Sequence, residues 1–395
     1  MTDSFNVNKK TILFGYLTQF FQYCVNILIL PIILASVDSS TLGIWYLFLS
    51  VSSLVMLLDF GFSTSLTKNV SYVFAGAKEL IKDGCVNKPT DSCIDFYLLK
   101  SLIYTTKTTY GKISATMLAL LLTAGTYYIF KTTNGNDYII VWLFFAFSIS
   151  INYYFNYINI FIRGRGLVEL SNRLIIITKI LYLVAVAGLL WLNLGLWALV
   201  LANFISAFGA ILVGRYYFWD EELISNLKKV EKTPNNLFPI LWYNAKRMGV
   251  TGFTIYAYSQ FNVLMGGIFL SLSDVAKLGL CMQLFGVLIT ISRVNLNTYY
   301  PKICSLWVTN DKAVIRKIFL KAQIICYVIY ILGCITIILG GTYILDFINS
   351  KTQLPETGVL CLYAFFYFME ITHGNCAIVI SSNNKAPFYK SPLKK

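Results

Sequence analysis

The sequence predicts an all-α polytopic integral membrane protein, two helical bundles around a central cavity, with about ten transmembrane helices. Three observations carry this. Mean hydropathy is +0.66 and only 13% of the 395 residues are charged, about half the share of an ordinary soluble chain. Apolar stretches of roughly 20 residues or more recur along the chain, the length a bilayer demands of a helix. Basic residues also alternate between sides. The N-terminus, the links after even-numbered spans with the span ends that adjoin them, and the C-terminal tail hold 27 lysines and arginines, against three (Lys131, Lys277 and Lys351) on the opposite side. That asymmetry places both termini in the cytoplasm. It also makes the formal charge of +14 a topology signal, so no nucleic-acid partner is expected.

Ten spans are read, at 11–36, 41–62, 112–130, 138–162, 174–192, 196–218, 240–270, 276–300, 318–345 and 358–380. The first stretch has no small-residue cleavage site and is a retained span. The outer links are short, which makes successive spans antiparallel neighbours. Two longer linkers, 68–111 and 219–239, lie on the basic side, and 96–107 is expected to extend the third helix below the membrane. The expected domains are a six-helix bundle at 1–218, a cytoplasmic linker at 219–239 and a four-helix bundle at 240–395.

The second half repeats the first weakly. A polar outer link leads into Leu42-Gly43 in one half and into Leu278-Gly279 in the other. Six spans per unit is an even number, so both units share one orientation and form a parallel repeat. By that alignment the chain stops before the last two spans of its second unit.

Span four carries a polar line, Ser148, Asn152, Asn156, Asn159 and Arg163, within about 80° of one helix face. Such a line faces a neighbouring helix or a wet cavity rather than lipid. Span one brings Gln22 and Asn26 to one face. Span seven brings Arg247, Tyr258 and Asn262, and span eight Arg293 and Asn297. Wet faces on equivalent helices describe a cavity between the bundles. Cations inside it suit an anionic cargo: Arg293 and Lys179 sit within spans, and Arg247 and Arg163 lie near their cytoplasmic ends. For each, a structural pair or snorkelling to the interface is the competing reading. Glu370 and His373, three residues apart on span ten, are expected to be neighbours and to carry a coupling ion together with Asp59. A static hydrogen-bonded pair is the alternative.

The nine cysteines form no CxxC pair, and His373 is the sole histidine. Neither metal nor cofactor is expected. There is no phosphate-binding GxxxxGK[ST] loop, no HExxH and no GxSxG, so neither an ATP-driven pump nor an enzyme is read.

Leu42-Gly43-Ile44-Trp45, Leu58-Asp59-Phe60-Gly61-Phe62 and Asn384-Lys385-Ala386-Pro387 carry a further signal. On them the chain resembles the O-antigen flippases of the Wzx type, in the polysaccharide-transport branch of the multidrug/oligosaccharidyl-lipid/polysaccharide exporters. The resemblance implies twelve spans in two six-helix bundles in the bacterial inner membrane. It also implies ion-coupled alternating access that moves undecaprenyl-pyrophosphate-linked O-antigen units outward, with membrane lipid and other O-antigen assembly proteins as partners. This chain departs from the pattern by lacking the last two spans. Three readings stay open beside it: a small-molecule cation exporter of the same superfamily, an O-antigen polymerase, and an inactive truncated remnant.

Overall fold

The computed structural model describes residues 29–74, 76–81, 94–133, 137–243, 245–246, 261–308 and 312–381. Among them there is no strand, and the protein is a polytopic helical membrane protein. Seven of the described helical segments are long and apolar enough to cross a membrane: Ser39–Asp59, Phe96–Thr133, Ile139–Gly164, Val168–Trp191, Leu196–Phe218, Leu272–Leu296 and Lys312–Phe347. They coincide with expected spans two to six, eight and nine. The tenth is the helix Thr357–Ser381. Expected spans one and seven fall partly outside the described residues.

By contact the chain divides into two compact units, one formed by Met1–Ile32 and Leu47–Ile268, the other by Ile33–Tyr46 and Phe269–Lys395. The segment 219–239, read from sequence as the link between bundles, falls within the first. The outer link between spans one and two falls within the second. There Asp38 caps helix α1 (Ser39–Met56) by accepting from the Thr41 amide at 3.0 Å and the Thr41 hydroxyl at 2.6 Å, the usual service of an aspartate at a helix start. The Lys351 amide donates to the Leu34 carbonyl at 2.8 Å, and its ammonium to the Ser36 carbonyl at 3.0 Å. The Tyr46 hydroxyl donates to Gln283 at 2.7 Å.

Helix α1 gives way to a 3-10 turn, Leu57–Asp59, and a left-handed pair, Phe60 (φ 44°) and Gly61 (φ 74°), before α2 (Phe62–Phe74) begins. Left-handed backbone suits glycine and strains phenylalanine, so this is a built break. Span three follows as α3 (Phe96–Leu120), capped by Asp95. It includes the extension below the membrane expected at 96–107. The linker is strapped along that extension. The Asn235 amide donates to the Ser101 hydroxyl at 3.0 Å and the Leu237 amide to the Thr105 hydroxyl at 2.9 Å, while the Lys100 ammonium donates to the Val230 carbonyl. Span four is two helices, α5 (Ile139–Phe155) and α6 (Tyr157–Gly164), interrupted at Asn156. Spans five and six are α7 (Val168–Trp191) and α8 (Leu196–Phe218), and α9 (Glu221–Lys228) lies in the linker. Then come α10 (Phe261–Phe269), α11 (Leu272–Val308) and α12 (Lys312–Ile335).

Spans three and nine share one layout. Helix α3 is 25 residues long and runs into a five-residue π turn, Leu121–Gly125, then an eight-residue helix, α4 (Thr126–Thr133). Helix α12 is 24 residues long and runs into a five-residue π turn, Thr336–Gly340, then a seven-residue helix, α13 (Gly341–Phe347). Gly125-Thr126-Tyr127 and Gly341-Thr342-Tyr343 mark the matching point. A π turn inserts one residue into the helix and frees backbone groups. In the first unit the Trp142 indole uses this, donating to the Leu121 carbonyl at 3.3 Å and to the Thr126 hydroxyl at 3.1 Å. Trp142 is wholly buried beside Phe48 and Phe145. In the second unit the core gathers Cys281, Phe285, Cys326, Tyr330 and Ile371 between α11, α12 and α14 (Thr357–Ser381). These cysteines sit there as small apolar filler.

Candidate functional site

Among the described residues each unit holds a polar node that ties three spans together: two, three and four in the first, eight, nine and ten in the second. In the first unit the centre is Asp59, at the break in span two. Its Oδ1 accepts from the Tyr153 hydroxyl of α5 at 2.7 Å and from the Tyr110 hydroxyl of α3 at 3.4 Å. Its Oδ2 accepts from the Ser63 hydroxyl at 3.0 Å and the Ser63 amide at 3.3 Å. The two tyrosine rings stack with centroids 5.3 Å apart. Every partner is a hydroxyl or an amide, and among the described residues no cation pairs with this carboxylate. The break positions it: the left-handed pair turns the first free amides of α2 back toward Asp59.

In the second unit the centre is Arg293, which, like Asp59, lies about six turns from the start of its helix. Its Nε donates to Asn375 Oδ1 at 3.1 Å and one terminal nitrogen to the Glu370 carbonyl at 3.1 Å. The Glu370 carboxylate lies 3.9 Å from the other terminal nitrogen, with both side chains about one-fifth exposed. Asn375 is fully buried and passes the link on, donating to Gln323 Oε1 at 3.0 Å and Cys326 Sγ at 3.4 Å. The Gln323 amide nitrogen, also buried, has no partner. One centre is thus an anion held by neutral donors, and the other a cation held by a carboxylate and an amide chain.

The structure redistributes the residues expected from sequence. Arg293 forms the structural pair that was its alternative reading. The expected Glu370–His373 pair is not formed: His373 is exposed while Glu370 turns to Arg293. Three residues along a helix set the two side chains about 60° apart, and the tie to Arg293 draws Glu370 toward α11. Along span four Asn152, Asn156, Asn159 and Arg163 stay out of the buried core, and Ser148 alone of the five is buried. Asn159 accepts from the buried Ser171 hydroxyl at 2.7 Å, helix to helix, while Asn156 and Arg163 are exposed and Asn152 is half-buried. Ser148 is buried with its hydroxyl unpartnered. Lys179 is half-buried on α7, with no ion pair or hydrogen bond to any described residue. Asn262 is exposed at the start of α10, and Asn297 falls on α11. Gln22, Asn26, Arg247 and Tyr258 lie outside the described residues.

Sequence reasoning missed Tyr110, Tyr153, Gln323 and Asn375. An amide inside an apolar span is a signal in itself, and it applies to Gln323 and Asn375. The tyrosines carry no such mark, being two of 27. Among the described residues no three His, Cys, Asp or Glu side chains gather as metal ligands.

No protein-family model matches the sequence, and neither does any curated protein. Among solved structures the chain is similar to the inward-facing conformation of a multidrug resistance MATE family transporter of the MOP superfamily. The TM-score is 0.65 at 11% identity, covering 95% of this chain and 84% of that one. An outward-facing conformation of a multidrug resistance MATE family transporter gives 0.53 at 14% identity, covering 94% and 81%. A Vibrio cholerae MATE transporter gives 0.51 at 12% identity, covering 97% and 84%. At such identities the likeness is one of architecture, and the chain has the fold of the MATE transporters of the MOP superfamily.

Proposed function

We propose that the protein is an ion-coupled exporter whose cargo is an oligosaccharide carried on a polyprenyl pyrophosphate, as in O-antigen assembly, moved outward across a bacterial inner membrane with both termini cytoplasmic. The fold supports a transporter. The observation that carries the choice of cargo is Lys179, a half-buried ammonium in mid-span with no described partner. An intramembrane charge is costly enough to mark function by default, and an anionic lipid headgroup would satisfy it. In this reading Asp59 with Tyr110 and Tyr153 carries the coupling ion, and Arg293 holds the second unit together. Branch and cargo rest on the Wzx-like residues Leu58-Asp59-Phe60-Gly61 together with Lys179, and the fold supports the transporter reading alone.

A second reading is a small-molecule cation exporter. Asp59 favours it, since a span carboxylate with no cationic partner among the described residues is what a cationic drug would seek.

One reconstitution separates the two. The purified protein is placed in vesicles with a fluorescent sugar linked to polyprenyl pyrophosphate, and translocation is read by protection from an external quencher. Lys179→Ala is expected to slow it about tenfold, the worth of one charge-assisted contact, and Lys131→Ala, an exposed end-of-span lysine, to leave it unchanged. Equal effects would remove the cargo reading. Efflux of a cationic dye that depends on Asp59, with no lipid translocation, would establish the second.

A further inference from the structure

Below span three, at the basic end of the first unit, a groove of about 330 Å³ is lined by Lys100, Ile103, Trp219, Ile224, Leu227 and Lys228. We propose that this groove is a binding site for one anionic membrane phospholipid, an acyl chain lying on its apolar floor and the phosphate between the two lysines. The inference is independent of the cargo assigned above.

The groove follows from how the linker folds. Span six ends at Phe218, and Trp219 comes next, at the height where a tryptophan marks the membrane–water boundary. Its ring is gripped by Phe218, centroids 4.8 Å apart, and by the Lys107 ammonium 5.3 Å above it. Asp220 then pairs with Arg165 at 2.6 Å and caps α9 through the Leu223 amide at 2.8 Å. Both contacts fix the direction in which α9 leaves. Leu223 buries itself against the bundle, which leaves Ile224 and Leu227 beside it as one wall of the groove. Ile103 of α3 supplies the other.

Charge and position select the occupant. Among the described residues no carboxylate lines the groove. Asp220 is held by Arg165, and Glu221 and Glu222 lie on the opposite end of α9 from Lys228. Lys228 is exposed and has no ion-pair partner among the described residues. Lys100 gives one N–H to the Val230 carbonyl, and an ammonium has two more to offer. An apolar slot with two lysines at the level of the lipid headgroups is complementary to a phosphodiester bearing an acyl chain. A free phosphate would leave the apolar wall uncovered, and a zwitterionic lipid would set its own cation beside the lysines.

The test uses the purified full chain in detergent, with lipid retention counted by native mass spectrometry during titration with phosphatidylglycerol, phosphatidylcholine or inorganic phosphate. Each lysine near a lipid surface contributes about fivefold in affinity. Phosphatidylglycerol is therefore expected to bind about thirtyfold more tightly than phosphatidylcholine. Lys228→Glu, an exposed change that leaves the linker straps intact, should reduce that preference by fivefold or more. Ile224→Asn should weaken both lipids together, and Lys131→Glu neither. An unchanged preference in Lys228→Glu would overturn the site. So would competition by inorganic phosphate at the same molar concentration, since the acyl wall would then contribute nothing.

Discussion

Replacing Asn375 by alanine is the sharpest probe of the second unit, because that one side chain closes the polar chain between α11, α12 and α14. Its Oδ1 takes the Arg293 Nε proton, and its Nδ2 serves both Gln323 and Cys326. Asn375→Ala removes all three bonds at a site with no exposed surface. Arg293 keeps its bond to the Glu370 carbonyl and its proximity to the carboxylate, so its loss is partial. Gln323 fares worse, since its amide nitrogen is already unpartnered and its oxygen would become so. Interhelical hydrogen bonds in bilayers are worth about 0.6 kcal/mol on average and about 1.7 kcal/mol at most. Stranding a buried polar group adds about 1–3 kcal/mol. The expected loss is about 2–3 kcal/mol of unfolding free energy, read by equilibrium unfolding in mixed micelles of a mild and a denaturing detergent. Adding Gln323→Leu should then restore about 1 kcal/mol, because the stranded amide is removed with its cost. An Asn375→Ala protein within about 0.5 kcal/mol of the parent, or two substitutions whose effects simply add, would refute the linked chain.

Two further outcomes follow from geometry. A methyl at Gly43 would meet the backbone carbonyl of Leu272, which cannot swing aside as a side chain can. Gly43→Ala should therefore cost about 1–3 kcal/mol of stability, whereas Gly188→Ala, whose methyl meets nothing within 4 Å, should be neutral in the same unfolding measurement. At the Asp59 node, Tyr153→Phe removes a 2.7 Å bond and Tyr110→Phe a 3.4 Å one. The first should destabilise by about 1 kcal/mol and the second by less, and a reversed order would show that the tyrosines do not hold Asp59 as described.

Hydropathy made the spans legible because a bilayer leaves a helix few alternatives. The sixth, expected at 196–218, is the helix Leu196–Phe218, and the extension at 96–107 is part of α3. Local backbone events were less visible. The interruption at Asn156 and the π turns at Leu121–Gly125 and Thr336–Gly340 each rotate one half of a helix against the other. A face drawn from a constant 100° per residue does not carry across such events. Partner choice was least legible. Whether Glu370 meets His373 on its own helix or Arg293 on another depends on how α11 and α14 pack, and a single-helix projection carries no information about that. The same limit hid Tyr153 of α5, whose importance comes wholly from Asp59.

The paired π turns also speak to origin. An extra residue in a helix is costly to acquire and has no reason to arise twice at the same depth. Its presence after 25 residues of α3 and after 24 of α12, each time beside a Gly-Thr-Tyr triplet, points to a single ancestral insertion.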